Sequence, residues 1–379
     1  MTVKTPPMGW NSWNTFGENI NEQLIMEIAD AMVSTGLKDA GYEYVVIDDC
    51  WSAKSRDENG DLVADPVKFP HGLKYLADYI HARGLKFGIY GCCGPRTCAG
   101  YPGSLDHELQ DALFFARNEI DFLKYDWCTY PRAVPGWTLY NRIRMALNAT
   151  GRDILLSICN WGEQDTLSWA RSVGADMYRS TYDISDSFDI VRILFNEQKN
   201  NMCLSGPSCF NDMDMLICGM YGKGNVANGG CNDIEYRTHF AMWCMLSQPL
   251  MIGCDIRSMT EETRKLLTDA ALIAIDQDAE VRPPIIAASN YPDRYPTLFK
   301  HLSDGSYAIG IFNISNEDTN VGALWFADIG LSPRDGYAFR VYDTESGELI
   351  GEFDDMIKPG ATIPAHGCKV LRAYLVKKG

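Results

Sequence analysis

The run Phe122-Leu123-Lys124-Tyr125-Asp126-Trp127-Cys128 is apolar and strand-like, and it ends on a carboxylate with a lysine two residues earlier. Side chains alternate faces along a strand, so Lys124 and Asp126 share a side. On a solvated edge they would form an ordinary surface ion pair. At the C-terminal end of a buried parallel strand they would stand at the mouth of a pocket. Other apolar runs end in the same way: at Trp13, at Asp48 and Asp49 with Trp51 following, at Tyr90, at Cys159-Asn160-Trp161, at Arg179 and Asp183, at Asp212 and Asp214 with Met215 following, and at Asp255. Carboxylates, aromatic rings and two cations, without imidazoles or thiol pairs, suit a sugar pocket. Asp and Asn bond hydroxyls in pairs, and Trp and Tyr faces cover the apolar side of a pyranose. Two carboxylates can hydrolyse a glycoside, one as nucleophile and one as general acid/base. Lys124 and Arg179 would keep neighbouring carboxylates ionised.

Each of these residues also has a plainer explanation. A strand-end Asp is more often a helix N-cap than a catalyst, and Asp186 and Asp255 fit that role. A lone Trp is more often core. Asp48-Asp49 could hold Mg²⁺ or Ca²⁺, although Lys124 and Arg179 would compete for the same carboxylates. Recurrence of Asp on the second, fourth, sixth and seventh strands is what a purely structural account fails to explain.

The elements that must position these residues alternate. Met8–Trp13 reads as a first strand. Helical spacing follows over 21–37, with Asn21 as the cap. The β-branched run 42–49 reads as a buried strand. Helices over 72–83, 106–118, 137–149, 164–173, 187–198, 233–246 and 260–267 alternate with strands ending at 90, 126, 161, 183, 214 and 255. Intervals between strand ends run from 22 to 41 residues, mostly the length of one βα unit. Eight units in about 250 residues match a (β/α)₈ TIM barrel. A doubly wound sheet would carry a Gly-rich phosphate turn after its first strand, and that turn is missing. Past Pro283-Pro284 the pattern changes to short alternating runs (307–313, 337–342, 368–375) between Asp-Gly, Asn-Glu-Asp and Pro-Gly turns. The reading is therefore a catalytic barrel over 1–280 and a C-terminal antiparallel β-sandwich over 281–379.

The 379 residues are 46% hydrophobic and 22% charged, enough for one large core and a smaller one. A net charge of −16 disfavours nucleic acid and anionic membranes as partners. No apolar run approaches the ~20 residues that span a bilayer. The thirteen cysteines sit mostly inside apolar runs. With no leader in view, they point to a reducing cytoplasm. No paired CxxC indicates structural zinc, and the six scattered histidines argue against a Ser-His-Asp triad.

Six motifs occur in order: Met8-Gly9-Trp10-Asn11-Ser12-Trp13, Ile47-Asp48-Asp49-Cys50-Trp51, Thr97-Cys98-Ala99-Gly100 with Pro102-Gly103-Ser104, Lys124-Tyr125-Asp126, Asn211-Asp212-Met213-Asp214-Met215-Leu216 and Ile275-Asp276-Gln277-Asp278. Together they resemble glycoside hydrolase family 27, the α-galactosidases (melibiases) and α-N-acetylgalactosaminidases. The resemblance implies a retaining double displacement on a terminal α-galactose, in a barrel without metal or cofactor. It implies Asp126 as nucleophile and Asp183 as acid/base with Arg179 beside it. Trp13, Asp48, Asp49, Lys124, Asp214 and Met215 match sugar-binding positions, with Asp48 and Asp49 on the 4- and 6-hydroxyls. Tyr90 matches an aromatic of the pocket wall, and Cys98 and Cys128 match a disulfide pair beside the nucleophile. Relatives are often dimers or larger.

The sequence also departs from the family. Many relatives pair the cysteine at position 50 with another near position 18, where Phe16-Gly17-Glu18-Asn19 stands here, which leaves Cys50 free. The loop Cys159-Asn160-Trp161-Gly162 faces the sugar's 2-position and carries Asn160 where many relatives have Glu. Trp161 is too bulky for an acetamido group, which favours galactose. A β-L-arabinopyranoside, galactose without its CH₂OH, is the other candidate, after the N-acetylgalactosaminide.

Overall fold

A computed structural model of the chain describes residues 3–287, 294–320, 322–332, 336–360 and 362–378. Eight parallel strands come first: β1 (Met8–Asn11), β2 (Tyr44–Val46), β3 (Lys86–Cys92), β4 (Phe122–Asp126), β5 (Leu155–Cys159), β6 (Met177–Arg179), β7 (Phe210–Asp212) and β8 (Leu250–Ile252). Each pairs with the next as far as β7, and β1 also pairs with β8, Trp10 opposite Ile252. The segment after β7 closes the ring. There Leu216 N donates to Met251 O at 2.8 Å, and Gly253 N donates to Leu216 O at 2.9 Å. The result is the expected (β/α)₈ barrel.

Strand alternation divides these residues between two cores. Val45, Phe87, Ile89, Leu123, Tyr125, Leu156 and Ile158 face the helices. Tyr44, Val46, Phe122, Leu155, Met177, Phe210 and Met251 fill the barrel interior. Large interior side chains need small neighbours. A Cβ on Gly9 would lie 2.6 Å from Tyr44 O, and one on Gly88 would lie 2.6 Å from Val46 Cγ2, so both positions exclude any side chain. Further along the strands the inward positions turn polar: Phe122 is followed by Lys124 and Asp126, Met177 by Arg179, and Phe210 by Asp212. The barrel thus has an apolar floor and a polar C-terminal mouth.

Several elements differ from the sequence reading. Strands β2, β6 and β7 stop two to four residues early, so Asp48, Asp49, Asp183 and Asp214 sit on turns beyond them. Side chains replace the ladder there: Ser12 Oγ accepts from Asp48 N (2.9 Å), Asp48 Oδ1 from Asp49 N (2.9 Å) and Asp49 Oδ1 from Cys50 N (2.7 Å). Such local bonds compete with sheet pairing. Trp13 opens a one-turn helix, Trp13–Phe16, rather than ending a strand. The helix read over 164–173 breaks into short turns because Gln164 and Asp165 adopt positive φ (57° and 55°). A helix at Ala270–Asp276, capped by Asp269, was not foreseen because it follows Glu261–Leu267 almost without a break. Asn21 does cap Glu22–Ser34, accepting from Leu24 N at 2.8 Å.

The C-terminal part is the expected antiparallel sandwich. A six-stranded sheet runs in the order Leu349–Phe353, Tyr337–Asp343, Cys368–Lys377, Tyr307–Phe312, Thr297–His301, Ile285–Ile286. Two short ladders cover it over a core that includes Phe299, Ile309, Phe339 and Leu371. It packs on the barrel through Phe312 against Phe195 (ring centroids 5.6 Å apart) and through the fully buried Lys300, which bonds Ile275 O at 2.9 Å and Ser247 Oγ. No helix among the described residues is long and apolar enough to cross a membrane.

Candidate active site

Thirteen of the residues singled out from the sequence line one pocket at the C-terminal mouth of the barrel, joined by Asn14, Ile184 and Val226. Its floor is Asp126, the last residue of β4, only 7% exposed. Tyr90 OH, from the neighbouring β3, donates to Asp126 Oδ2 at 2.8 Å, and Trp127 N donates to Oδ1 at 2.7 Å. Burial pushes this carboxyl up. The Lys124 ammonium and these two donors oppose the push without cancelling it. Lys124 itself bonds Asp48 Oδ2 at 2.7 Å. Burial disfavours its charge, but Asp48 and Asp126 outweigh that and hold it as a cation.

Asp49 extends the same wall. Ala99 N donates to its Oδ2 at 3.1 Å. Burial raises its carboxyl, while Thr97 and the backbone N–H groups of Cys50 and Ala99 pull it back. The loop that carries Thr97 and Ala99 is tied to the segment after Asp126 by the Cys98–Cys128 disulfide, with Cα atoms 5.2 Å apart. Cys50 is free and buried, as are Cys92, Cys93, Cys159 and most of the others.

The opposite wall is organised by Arg179, which is 3% exposed. Its Nη2 donates to Asp183 Oδ1 at 2.6 Å and its Nη1 lies 3.0 Å from Asp214 Oδ1. The Asp183 side chain, 70% exposed, stands at the mouth. What burial it has would raise its carboxyl, but the Arg179 guanidinium outweighs this and holds it below the usual carboxylate range. Asp214 goes the other way. Burial pushes it up to about 6, with Asp183 and Asp212 adding to Arg179's failure to offset it. Backbone donors fix Asp214 from both sides, Ile184 N at 2.7 Å and Met215 N at 2.8 Å. Cys159 lies 3.7 Å from Arg179 Nη1, and burial keeps its thiol protonated. Trp161 takes a left-handed φ of 57°, and Gly162 N bonds Arg179 O at 3.2 Å.

Other residues read as strand-end candidates lie elsewhere. Asn160 is fully buried and turned into its own loop, bonding Glu163 O and Thr166 Oγ1 at 2.6 Å each, so it does not line the pocket. Trp51 packs on the barrel, donating to Tyr90 O at 2.9 Å. Asp212 lies beneath Asp214, accepting from its N at 2.9 Å. Asp255 is the cap it was read to be, accepting from Arg257 N at 3.1 Å. Asp186 is not a cap. Ser187 holds that position, and the fully buried Asp186 carboxylate instead accepts from Gly222 N (2.6 Å), Cys231 N (3.2 Å) and Tyr236 OH (2.9 Å), clamping the loop that brings in Val226. Nothing in the Gly-rich stretch 219–230 marked Val226 beforehand, whereas Asn14 adjoins the Trp13 motif.

The Asp48–Asp49 pair does not suit a divalent cation. Asp48 Oδ2 already faces an ammonium and an amide. The one group with ligand-like spacing among the described residues, Cys98, Asp126 and Cys128, has its sulfurs joined to each other.

Comparison with known proteins gives two family matches in tandem. Residues 5–278 match the model described as alpha galactosidase A, and 293–373 match the alpha galactosidase C-terminal beta sandwich domain. The chain is 41% identical over 359 residues to alpha-galactosidase 3 of Arabidopsis thaliana, covering 93% of this chain and 80% of that one. It is 39% identical over 375 residues to the alpha-galactosidase of Cyamopsis tetragonoloba, covering 97% and 85%. Crystalline alpha-galactosidase I of Mortierella vinacea superposes with a TM-score of 0.91 at 32% identity, covering 100% of this chain and 99% of its own.

Proposed function

The chain belongs to glycoside hydrolase family 27 and is an α-galactosidase, and we propose that Asp126 is its nucleophile and Asp183 its general acid/base, acting on terminal α-linked galactose of oligosaccharides or glycoconjugates. The observation that carries the assignment is the contrast between the two carboxylates. Asp126 is sunk at the pocket floor with both oxygens oriented by Tyr90 and Trp127, and Asp183 stands at the exposed mouth on a buried guanidinium. A sugar seated in the pocket places its anomeric carbon over the floor and its leaving oxygen at the mouth.

Asp126 Oδ2 or Oδ1 then attacks the anomeric carbon while Asp183 gives a proton to the departing oxygen. A covalent galactosyl-Asp126 forms, and the aglycone leaves. In the second step Asp183 takes a proton from water, which displaces Asp126 with net retention. Retention requires carboxyl groups about 5–5.5 Å apart. Pairing with Arg179 favours the carboxylate form of Asp183, the form needed in the second step. The first step needs the protonated form, which the leaving oxygen favours by accepting a hydrogen bond from it.

Trp13, Asp48, Asp49, Lys124, Asp214 and Met215 hold the sugar, with Asp48 and Asp49 on the 4- and 6-hydroxyls. Cys159 and Trp161 form the wall at the 2-position, which favours a hydroxyl over an acetamido group. Parallel hydrolysis of p-nitrophenyl α-galactoside, α-N-acetylgalactosaminide and β-L-arabinopyranoside tests this reading. Preference for the first is expected. Preference for either of the others would reassign the pocket to that sugar with the same catalytic pair. Undiminished turnover of the galactoside by Asp126→Ala would overturn the nucleophile assignment.

A further inference from the structure

Asn11 closes β1 with a side chain only 3% exposed that no step above uses. Its amide is divided between two pocket residues. Nδ2 donates to Asp48 Oδ2 at 2.8 Å, and Oδ1 accepts from Trp13 N at 2.8 Å. The remaining bonds of Asp48 are also fixed. Oδ2 takes Lys124 Nζ at 2.7 Å, Oδ1 takes Asp49 N at 2.9 Å, and Asp48 N is held by Ser12 Oγ at 2.9 Å. A carboxylate offers about four lone-pair sites. Asn11 and Lys124 fill both on Oδ2, which leaves one site, on Oδ1, for a hydroxyl of the sugar. Lys124 is a point charge with three freely rotating donors and tolerates many carboxylate orientations. A fixed amide donor does not.

From this geometry we infer that Asn11 is a positioning residue that sets the pocket's selectivity for the hydroxyl pattern at C4 and C6, by fixing the plane of the Asp48 carboxylate and the entry of Trp13 together. The inference rests on the reading of Asp48 as a ligand of those hydroxyls. Only an amide of this length serves both neighbours. A carboxylate keeps the acceptor for Trp13 N but loses the donor, and an apolar side chain loses both.

The test is the ratio of kcat/KM for p-nitrophenyl α-galactoside to that for p-nitrophenyl β-L-arabinopyranoside, which lacks the C6 hydroxymethyl group. It is measured in the parent protein, Asn11→Asp, Asn11→Ala and Asp48→Asn, with melting temperatures alongside. Catalytic ionisations common to both substrates cancel in this ratio. Asn11→Asp and Asn11→Ala should each lower it by at least about tenfold, the worth of one hydrogen bond to a charged group, with most of the loss in KM for the galactoside. In Asn11→Asp the ratio should recover as pH falls, because the protonated carboxyl again donates to Asp48. A merely structural role would lower both substrates together and give no pH-dependent recovery, which would overturn the inference. If Asp48→Asn lowers the ratio and neither Asn11 variant does, Asn11 has no such role and the Asp48 reading stands. If Asp48→Asn leaves the ratio unchanged, the Asp48 reading itself fails. Should Asn11→Ala not fold, the isosteric Asn11→Asp decides.

Discussion

Arg179 governs the proton on Asp183, and replacing it with methionine should move the pH profile in a defined direction. Arg179 Nη2 lies 2.6 Å from Asp183 Oδ1. Asp183 is 70% exposed, so solvent screens the pair heavily. With the full dielectric of water, two unit charges at that 2.6 Å separation still attract by about 1.6 kcal/mol. One pH unit corresponds to about 1.4 kcal/mol, so this limit is worth about one unit. The buried guanidinium sits in a poorer dielectric than water, which raises the expected shift to between about one and two units. The sign is set by the role proposed for Asp183. A general acid must be protonated, so the basic limb of kcat/KM reports its pKa. Removing the cation raises that pKa, and the limb moves to higher pH.

The assay follows phenyl α-galactoside, whose leaving group needs protonation, and 2,4-dinitrophenyl α-galactoside, whose leaving group does not. The limb should be present with the first substrate and absent with the second. Arg179→Lys, which keeps the charge, should shift the limb much less than Arg179→Met even if both variants lose rate. A limb that stays in place or moves to lower pH in Arg179→Met would refute the claim that Arg179 sets this proton.

Three further outcomes follow from the same contacts. Asp186→Ala strips a fully buried carboxylate from three donors, Gly222 N, Cys231 N and Tyr236 OH; at about 1–3 kcal/mol for each buried group left unpaired, urea unfolding should show a loss of several kcal/mol, and a loss under about 1 kcal/mol would mean that water replaces the clamp. Reducing Cys98–Cys128, which closes a loop of 30 residues, should cost about 3.6 kcal/mol of stability on the chain-entropy model and raise KM before kcat falls, because Ala99 N then no longer holds Asp49; unchanged KM after reduction confirmed by thiol titration would contradict this. Burial raises Asp214 to about 6, so its contribution to stability is present at low pH and lost as pH rises from about 4 through about 6; the melting-temperature difference between the parent and Asp214→Asn should shrink across that range, and a difference that grows would reverse the sign assigned here.

Much of the site is legible in the sequence because barrel chemistry is periodic. Lys124 and Asp126 fall on one strand face by alternation alone, and repetition of Asp at strand ends gives away the others. What stays hidden is set by partners distant in sequence. Asp186 looks like a cap because it precedes a helix, yet its partners are 36 to 50 residues away. Asn160 follows a strand as a pocket residue would, yet Thr166 and Glu163 O turn it inward. Strand ends are overrun where Asp and Ser side chains satisfy the backbone in place of a ladder, which propensity does not register. Asn11 reads as one more residue of the first strand, and only its contacts mark it.

The barrel interior gives two carboxylates of the same type the different surroundings that their proposed parts need, without any histidine in the pocket. Below the mouth, the inward layer is apolar, so the charges above it have no water on that side and depend on each other. The sequence supplies one cation to each wall. Lys124, one inward position below Asp126, makes its close contact with Asp48 and acts on Asp126 only through space. Asp126 therefore keeps its oxygens free of direct cation contact, bonding Tyr90 and Trp127, as the proposed nucleophile must. Arg179 does the opposite and bonds Asp183 directly. That bond is exposed to solvent and to the incoming aglycone, so it is the one substrate can weaken. In the empty pocket the two groups are biased against their first-step roles, Asp126 upward and Asp183 downward. Substrate binding has to reverse both, bringing hydroxyl donors to the floor and a leaving oxygen that accepts the Asp183 proton to the mouth. On the proposed assignment, proton placement is thereby coupled to occupation of the pocket, and the guanidinium at the mouth, more than either carboxylate, would set the pH behaviour.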